Sequence, residues 1–410
     1  MQLLVFEDAA FQSHLPLVYS RCTFNLRCGF DNLLSKIEKA TKLTADALFV
    51  RPALAAVIAE RQPRRVNQPA TGDDQLWVNG RFLMRSAIDI PMGAAVWMGD
   101  ALVAGRFDRT ISSRLTPAVL LDPAKLRELL AACPTQQLPP ESGILINHPW
   151  QLIKENAAEI TRQCGLTPMD LAGRIADGAH LVNGSAIHVG AGSNINPGSV
   201  LDAESGPIYI GENVTVHAGA VIQGPCYIGD GCTIQPGAAI RGGCSIGMVC
   251  KIGGEVEGTI FHGYSNKQHD GFIGHSYIGE WVNLGADTVG SDLKNTYGPV
   301  RVPINGTAID TGEMFVGAFI GDHTKTAIRT TLPTGCVIGY ACNVALSGFV
   351  PNFVPSFSWL TDKGRQTNDP QKALAVARTV VGRRNRTYSK AEESLFLAIQ
   401  QCASEIENTP

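Results

Sequence analysis

"IYIGENVTVHAGAVIQGPCYIGDGCTIQPGAAIRGGCSIGMVCKI", residues 208–252, repeats itself every six residues. Ile210, Val216, Ile222, Ile228, Ile234, Ile240, Ile246 and Ile252 are eight aliphatics in phase, with Gly211, Gly219, Gly229, Gly237, Gly247 and Gly253 at set places between them. A period of six suits neither an α-helix, which repeats at 3.6, nor a single strand, which alternates at 2. It suits a coil with three faces. Each face is one short strand that turns one aliphatic inward, and a glycine or small residue makes each corner. That is the hexapeptide pattern of a parallel β-helix.

The phase begins weakly at Val189, Ile195 and Leu201 and is broken by "AESGP". After Ile252 it breaks again at "TIFHGYSNKQHDG", resumes with Ile278 and Leu284, and breaks once more over 290–312. It returns as Met314, Ile320, Thr326, Leu332, Ile338 and Val344, which places the solenoid over 181–346. Interruptions in a solenoid are expected as loops on its outside, often at the binding face. Cys226/Cys232, Cys244/Cys250 and Cys336/Cys342 are each six apart and are expected to share a column on neighbouring coils as small apolar residues. The CxxC spacing of zinc sites is absent, which disfavours a metal role.

The first 165 residues read differently. "MQLLVFED", "ADALFV" and "SGILIN" have the look of short buried strands. "FDNLLSKIEKAT", "PALAAVIAER" and "DPAKLRELLAAC" read as helices, the last started by Asp122 and Pro123. "QLWVNGRFLM" predicts a hairpin turning at Asn79-Gly80. The alternation implies an α/β domain over 1–165, and "HPWQLIKENAAEITRQC" a helix leading into the solenoid. The tail, 366–410, predicts two helices joined near "GRRNRTYS". Its Arg383, Arg384 and Arg386 form a solvated patch, an oligomer contact or a phosphate site.

Lys and Arg number 34 against 37 Asp and Glu, a net charge of −3, so there is no basic field for nucleic acid. No stretch approaches the roughly 18 uncharged apolar residues of a membrane span. The N-terminus reads as a strand and loop rather than an export signal. With 11 cysteines, an odd number, reduced thiols in the cytoplasm are expected.

"NKQHDGFIGHSYIGEWVNLGADT", Asn266–Thr288, sets two histidines, Phe272, Tyr277, Trp281 and Asn283 among glycines. Acyl transfer from a thioester to an amine needs a base near neutrality, which imidazole supplies, and a hydrogen-bond donor for the developing oxyanion. A backbone N–H or an asparagine amide meets the second need. The stretch resembles the acetyltransferase part of the GlmU-like family. That family joins a sugar-1-phosphate nucleotidyltransferase domain to a left-handed parallel β-helix that acetylates glucosamine-1-phosphate. The family's histidine, aromatic, glycine, asparagine and alanine fall without a gap on His269, Phe272, Gly274, Asn283 and Ala286. The resemblance implies that His269 is the general base and that Asn283 holds the acceptor amine or the acyl group. Phe272 stands where the family has tyrosine. Ser265, Asn266, Lys267, Phe272 and His275 are candidate substrate contacts. His275, six on from His269, is expected one coil above it, as a structural or pocket histidine. Lys294, Asn295 and Tyr297 in the second interruption would line the acceptor pocket, and Ala286, Gly317 and Ala318 the acetyl-CoA path. The family's active site lies between subunits of a homotrimer, so the polar stretch is expected on an external loop facing a neighbour.

The N-terminal half resembles a GlmU-like subgroup with a shortened domain, through "LPLVYSRCTFNLRCGFDNLLSKIE" and "LWVNGRFL". Its Arg21, Arg27 and Lys36 are candidate phosphate ligands for an NTP with Mg²⁺, the arginines being equally readable as structural salt bridges. The G-x-G-T-R loop that cradles nucleotide phosphates is missing. Two other readings remain: a metal enzyme resembling gamma-class carbonic anhydrases, with His262, His269 and His275 on zinc, and a trimeric sugar-nucleotide-binding scaffold without turnover.

Overall fold

The computed structural model describes residues 1–69 and 71–407. A seven-stranded mixed sheet organises the N-terminal part. Its spatial order is Thr135–Gln136, Ala95–Met98, Ala101–Phe107, Gln75–Asn79, Gln2–Phe6, Ala45–Phe49, Arg65–Val66. Gln2–Phe6 lies parallel to both its neighbours. Because strand side chains alternate, Leu3 and Val5 join one buried cluster and Leu4 and Phe6 another on the opposite face. The predicted helices form at Leu33–Thr41, Ala55–Arg61, Pro123–Leu129 and Pro149–Cys164. Asp122 caps the third of these by accepting the N–H groups of Ala124 and Lys125.

The expected Asn79-Gly80 hairpin does not form. Gln75–Asn79 pairs with Gln2–Phe6 and Ala101–Phe107, whereas Phe82–Met84 leaves the sheet and pairs with Gly143–Leu145. The chain is redirected by buried polar groups. The Asn79 amide donates to Asp8 and to the Leu102 carbonyl, and the Arg81 guanidinium grips Asp8.

From Arg174 onward the chain winds as a three-sided parallel β-helix. Face one carries nine strands, from Ile187–Val189 to Phe353–Val354. Face two begins at Arg174–Ile175 and face three at His180–Val182. All eight aliphatics of the 208–252 stretch are 0% exposed and fill the interior. Register pairs Ile210 with Ile228 and Ile228 with Ile246, so one full coil is three hexads. Residues six apart therefore sit on adjacent faces, and those eighteen apart share a column. That corrects the cysteine reading: Cys226 stacks on Cys244, and Cys232 accepts from the Cys250 N–H. All are free thiols.

The two interruptions differ in kind. At the first there is no external loop. Ser245 registers with Ile260, and Ile260 with Tyr277, so these coils are shortened and the polar stretch stays within the coils, on their strands and corners. Gly254 (φ +67°) and Gly258 (φ +51°) make the tight corners. The second interruption is a true excursion. Residues 291–314 leave between coils and carry an antiparallel hairpin, Arg301–Ile304 with Thr307–Asp310. Val300, Val302 and Ile304 bury themselves in the N-terminal core. Met314, expected inside the solenoid, is 45% exposed on the returning arm, and the interior column restarts at Ile320.

Face one is covered by the N-terminal domain and the helix Pro149–Cys164. Phe30 stacks on Tyr209 and Tyr227, and the Ser245 hydroxyl donates to the Gly29 carbonyl at 2.5 Å. The tail helices, Pro370–Gly382 and Lys390–Ile406, close the far end, with Leu374, Leu395, Phe396 and Ile399 in the same core as the N-terminal domain.

Candidate functional site

The corner joining faces two and three carries His269. Asn266–Lys267 ends face two, Gln268–Gly271 turns, and Phe272–Gly274 begins face three. Gly271 is required here: its φ is +110°, and a Cβ would meet the Thr288 carbonyl at 2.2 Å. Ile273 points inward, so Phe272 faces out, half-buried. Asn266 registers with Asn283 one coil on, and the same step carries His269 to Ala286. The His269 imidazole is exposed and makes no hydrogen bond among the described residues. Asn283 is also exposed; its Oδ1 accepts from Asn266 at 3.4 Å, and Asn266 accepts from Arg384 at 3.0 Å. His269, Asn283 and Ala286 thus line one edge over two coils, while the Phe272 ring lies along face three, over Gly274 and beside the Asp292 carboxylate.

Lys267, expected at a substrate, occupies the interior column. It registers with Ile252 and is 1% exposed. Its ammonium donates to the carbonyls of Gly253 (3.0 Å) and His269 (2.8 Å), tying down the corner from inside. Burial presses its pKa from 10.5 to about 8, against a weaker opposing pull from Asp270 and Asp287. The unfolded chain then holds more protons than the folded one between about pH 8 and 10.5. Stability therefore rises across that window, and below it the buried charge costs up to about 3 kcal/mol. Lys267→Met should unfold at higher urea than the parent at pH 7, with the gap closing by pH 10. A gap unchanged between the two pH values would contradict the burial argument.

The other candidates disperse. Ser265 is 0% exposed and its hydroxyl bridges the carbonyls of Gly263 and Gly279, inside the coil. His275 does not stack on His269: it lies at the far end of face three, on the next corner. There its Nδ1 meets Asp292 at 2.8 Å. Lys294, Asn295 and Tyr297 follow Asp292 directly and belong to that second corner, with Tyr297 69% exposed. Gly317 donates its N–H to the His275 carbonyl, and Ala318 is buried beside it, whereas Ala286 stays with His269. His262 sits on face one, with Nδ1 3.0 Å from the Tyr277 hydroxyl. The three histidines of the metal reading therefore occupy separate places within the chain.

The N-terminal candidates face inward. Arg21, 3% exposed, is bidentate on Asp322 (3.0 and 2.8 Å) and reaches Glu280 at 3.1 Å. Lys36 donates to Glu159 and Gln163, both at 3.0 Å. The Arg27 guanidinium donates to the Phe30 carbonyl and lies 5.7 Å from the Tyr227 ring centre. Ligands of open parallel sheets bind beyond the carboxyl ends of the strands. Here those ends hold the ion pairs Glu7–Arg51 and Asp8–Arg81.

Residues 3–168 match the profile of the family described as sugar nucleotidyl transferase, and residues 207–242 that of the bacterial transferase hexapeptide, six repeats. The chain thus joins a part that matches the sugar nucleotidyl transferase profile to a part that matches the transferase hexapeptide profile. The β-helix is accordingly left-handed. Among curated relatives, the "Bifunctional sugar-1-phosphate nucleotidylyltransferase/acetyltransferase" of Sulfurisphaera tokodaii is 39% identical over 92 residues, 22% of this chain and 23% of that protein. The "Bifunctional protein GlmU" of Methanococcus vannielii is 34% identical over 85 residues, 21% and 20% of the two chains. The chain thus spans about a fifth to a quarter of the length of these relatives. A UDP-N-acetylglucosamine acyltransferase from Campylobacter jejuni aligns over 57% of this chain and 96% of its own at 12% identity, with a TM-score of 0.23.

Sequence reasoning missed Asp292, the partner of His275, which was findable because it falls 17 residues after it, one shortened coil away.

Proposed function

We propose that the solenoid transfers an acyl group, acetyl in the first instance, from acyl-CoA to the amine of an amino-sugar phosphate or sugar nucleotide. The observation that supports this is the imidazole of His269, without a hydrogen-bond partner among the described residues, on the edge shared with Asn283 and Ala286. The amine nitrogen attacks the thioester carbonyl, a C–N bond forms and the C–S bond breaks. His269 takes the amine proton and returns it to the thiolate. The Asn283 amide serves the carbonyl oxygen as its charge grows. The edge is open, so a second copy of the chain completes the pocket in a homotrimer, with Ala286 along the acyl-CoA path. No helix among the described residues is long and apolar enough to cross a membrane, and we place the activity in the cytoplasm.

The N-terminal domain is assigned a positioning role. The acidic groups at its strand ends, Glu7 and Asp8, are committed to Arg51 and Arg81, a donor set that does not fit Mg²⁺. Arg21 and Lys36 are likewise engaged in ion pairs. Purified protein given acetyl-CoA and glucosamine-1-phosphate should release free CoA and sediment as a trimer. A monomer without CoA release from any amino-sugar phosphate would refute the reading and favour the non-catalytic scaffold.

A further inference from the structure

A cavity of about 480 Å³ lies between the helix Pro149–Cys164 and the corner of the solenoid that carries His275. It is separate from the His269 edge, because face three stands between them. The imidazole is held: Nδ1 donates to the Asp292 carboxylate at 2.8 Å, which leaves Nε2 as an acceptor. The backbone around it is shaped for this pair. His275 itself has φ +41°, a costly conformation for a residue with a Cβ. At Gly258 a Cβ would come within 2.9 Å of the imidazole, and at Gly274 within 2.2 Å of the Asp292 carboxylate. Each glycine leaves the room that one partner uses.

The charges of the cavity do not balance. Lys154 and Glu313 cancel each other at 2.6 Å, whereas Asp292, hydrogen-bonded by an imidazole whose Nε2 stays an acceptor, keeps its negative charge. Glu257 also lines the wall, and its carboxylate has no ion-pair or hydrogen-bond partner among the described residues. The remaining surface is largely apolar. Trp150 lies on one side, and Phe315, 5.4 Å from the imidazole, on the other. A fixed acceptor nitrogen and a spare carboxylate between aromatic walls recognise a cation with hydroxyls and an apolar face.

We propose that this cavity is a second ligand site, taking an amine-bearing molecule of monosaccharide size, with its ammonium shared between Glu257 and His275 Nε2. The site stands on its own geometry and does not require His269 to be catalytic.

Calorimetry with D-glucosamine, and with N-acetylglucosamine as its uncharged counterpart, tests it on the full-length protein. One glucosamine per chain should bind, at least about tenfold tighter than N-acetylglucosamine, as expected when a charge-assisted hydrogen bond is lost. Glu257→Gln and His275→Gln should each weaken glucosamine by about tenfold or more, and His269→Ala should leave its binding unchanged. Glu257→Gln alters a carboxylate that holds nothing else in place, so it remains informative if His275→Gln misfolds. Equal affinity for both sugars, no binding, or binding that depends on His269 but not on Glu257 would overturn the proposal. Binding without CoA release would keep this site and count against the acyltransferase reading. CoA release without this binding would do the reverse.

Discussion

Replacing His269 with alanine is expected to lower CoA release from acetyl-CoA and glucosamine-1-phosphate by about 10²–10⁴-fold, the usual contribution of a positioned general base. The loss should fall on kcat and kcat/KM together, because the imidazole acts on the proton that moves in the transition state rather than on ground-state binding. The fold should survive. The side chain is exposed and unpaired, and the corner uses only the His269 carbonyl, which accepts from Lys267 and is present in any residue. Unfolding midpoint and sedimenting mass should therefore match the parent, so that lost turnover cannot be ascribed to lost structure. Asn283→Ala should cost about 10²–10³, as a single oxyanion donor does. If His269→Ala retains full activity at the parent's sedimenting mass, the base lies elsewhere, and the His275–Asp292 pair is the first alternative.

The hexad is legible because the constraint behind it is local and strict. Every inward position of a coil meets its counterparts above and below in a dry interior, so Ile210 through Ile252 have little choice. The sequence does not display the coil count. A six-residue step looks like a stacking repeat, yet it is a walk along one face. That single misreading put His275 above His269 and Cys226 above Cys232. Counting a whole coil instead of six residues would have placed Cys226 beside Cys244 and Glu257 beside Gly274, next to His275.

The polar stretch misled for a related reason. Polar and aromatic residues within a repeat suggest an insertion, whereas here they sit on shortened coils whose outer faces are used. Lys267 is the sharpest case, a lysine in an aliphatic column that no periodicity would admit, made tolerable by two carbonyls at a glycine corner. The phosphate reading of Arg21 and Lys36 failed differently. Their partners, Asp322 and Glu159, are 301 and 123 residues away in sequence. An arginine that serves a distant carboxylate looks, in a sequence, the same as one that waits for a phosphate.

Arg21→Ala is accordingly expected to destabilise the protein by about 3–5 kcal/mol, the cost of stranding a buried partner charge. Burial alone would press Arg21 toward its neutral form, but Asp322 and Glu280 outweigh that and hold it charged. The carboxylates depend on it in turn: Asp322 is 2% exposed, and its other contacts are the Ser20 hydroxyl and the Glu280 N–H. The residues concerned come from the N-terminal domain and from consecutive coils of face one, so this ion cluster fastens the two domains together. Arg61–Glu392 extends it to the tail at 2.7 Å. Loss of Arg21 should therefore split one urea transition into two, the N-terminal domain releasing before the solenoid. Arg386→Ala, which removes an exposed cation 5.0 Å from the Tyr264 ring centre, should cost no more than about 1 kcal/mol. Adding Asp322→Asn to Arg21→Ala should recover part of the loss, because the stranded group would then be neutral. A single unshifted transition in Arg21→Ala would show that the apolar contacts of Phe30, Tyr209 and Tyr227 hold the joint without the ion cluster.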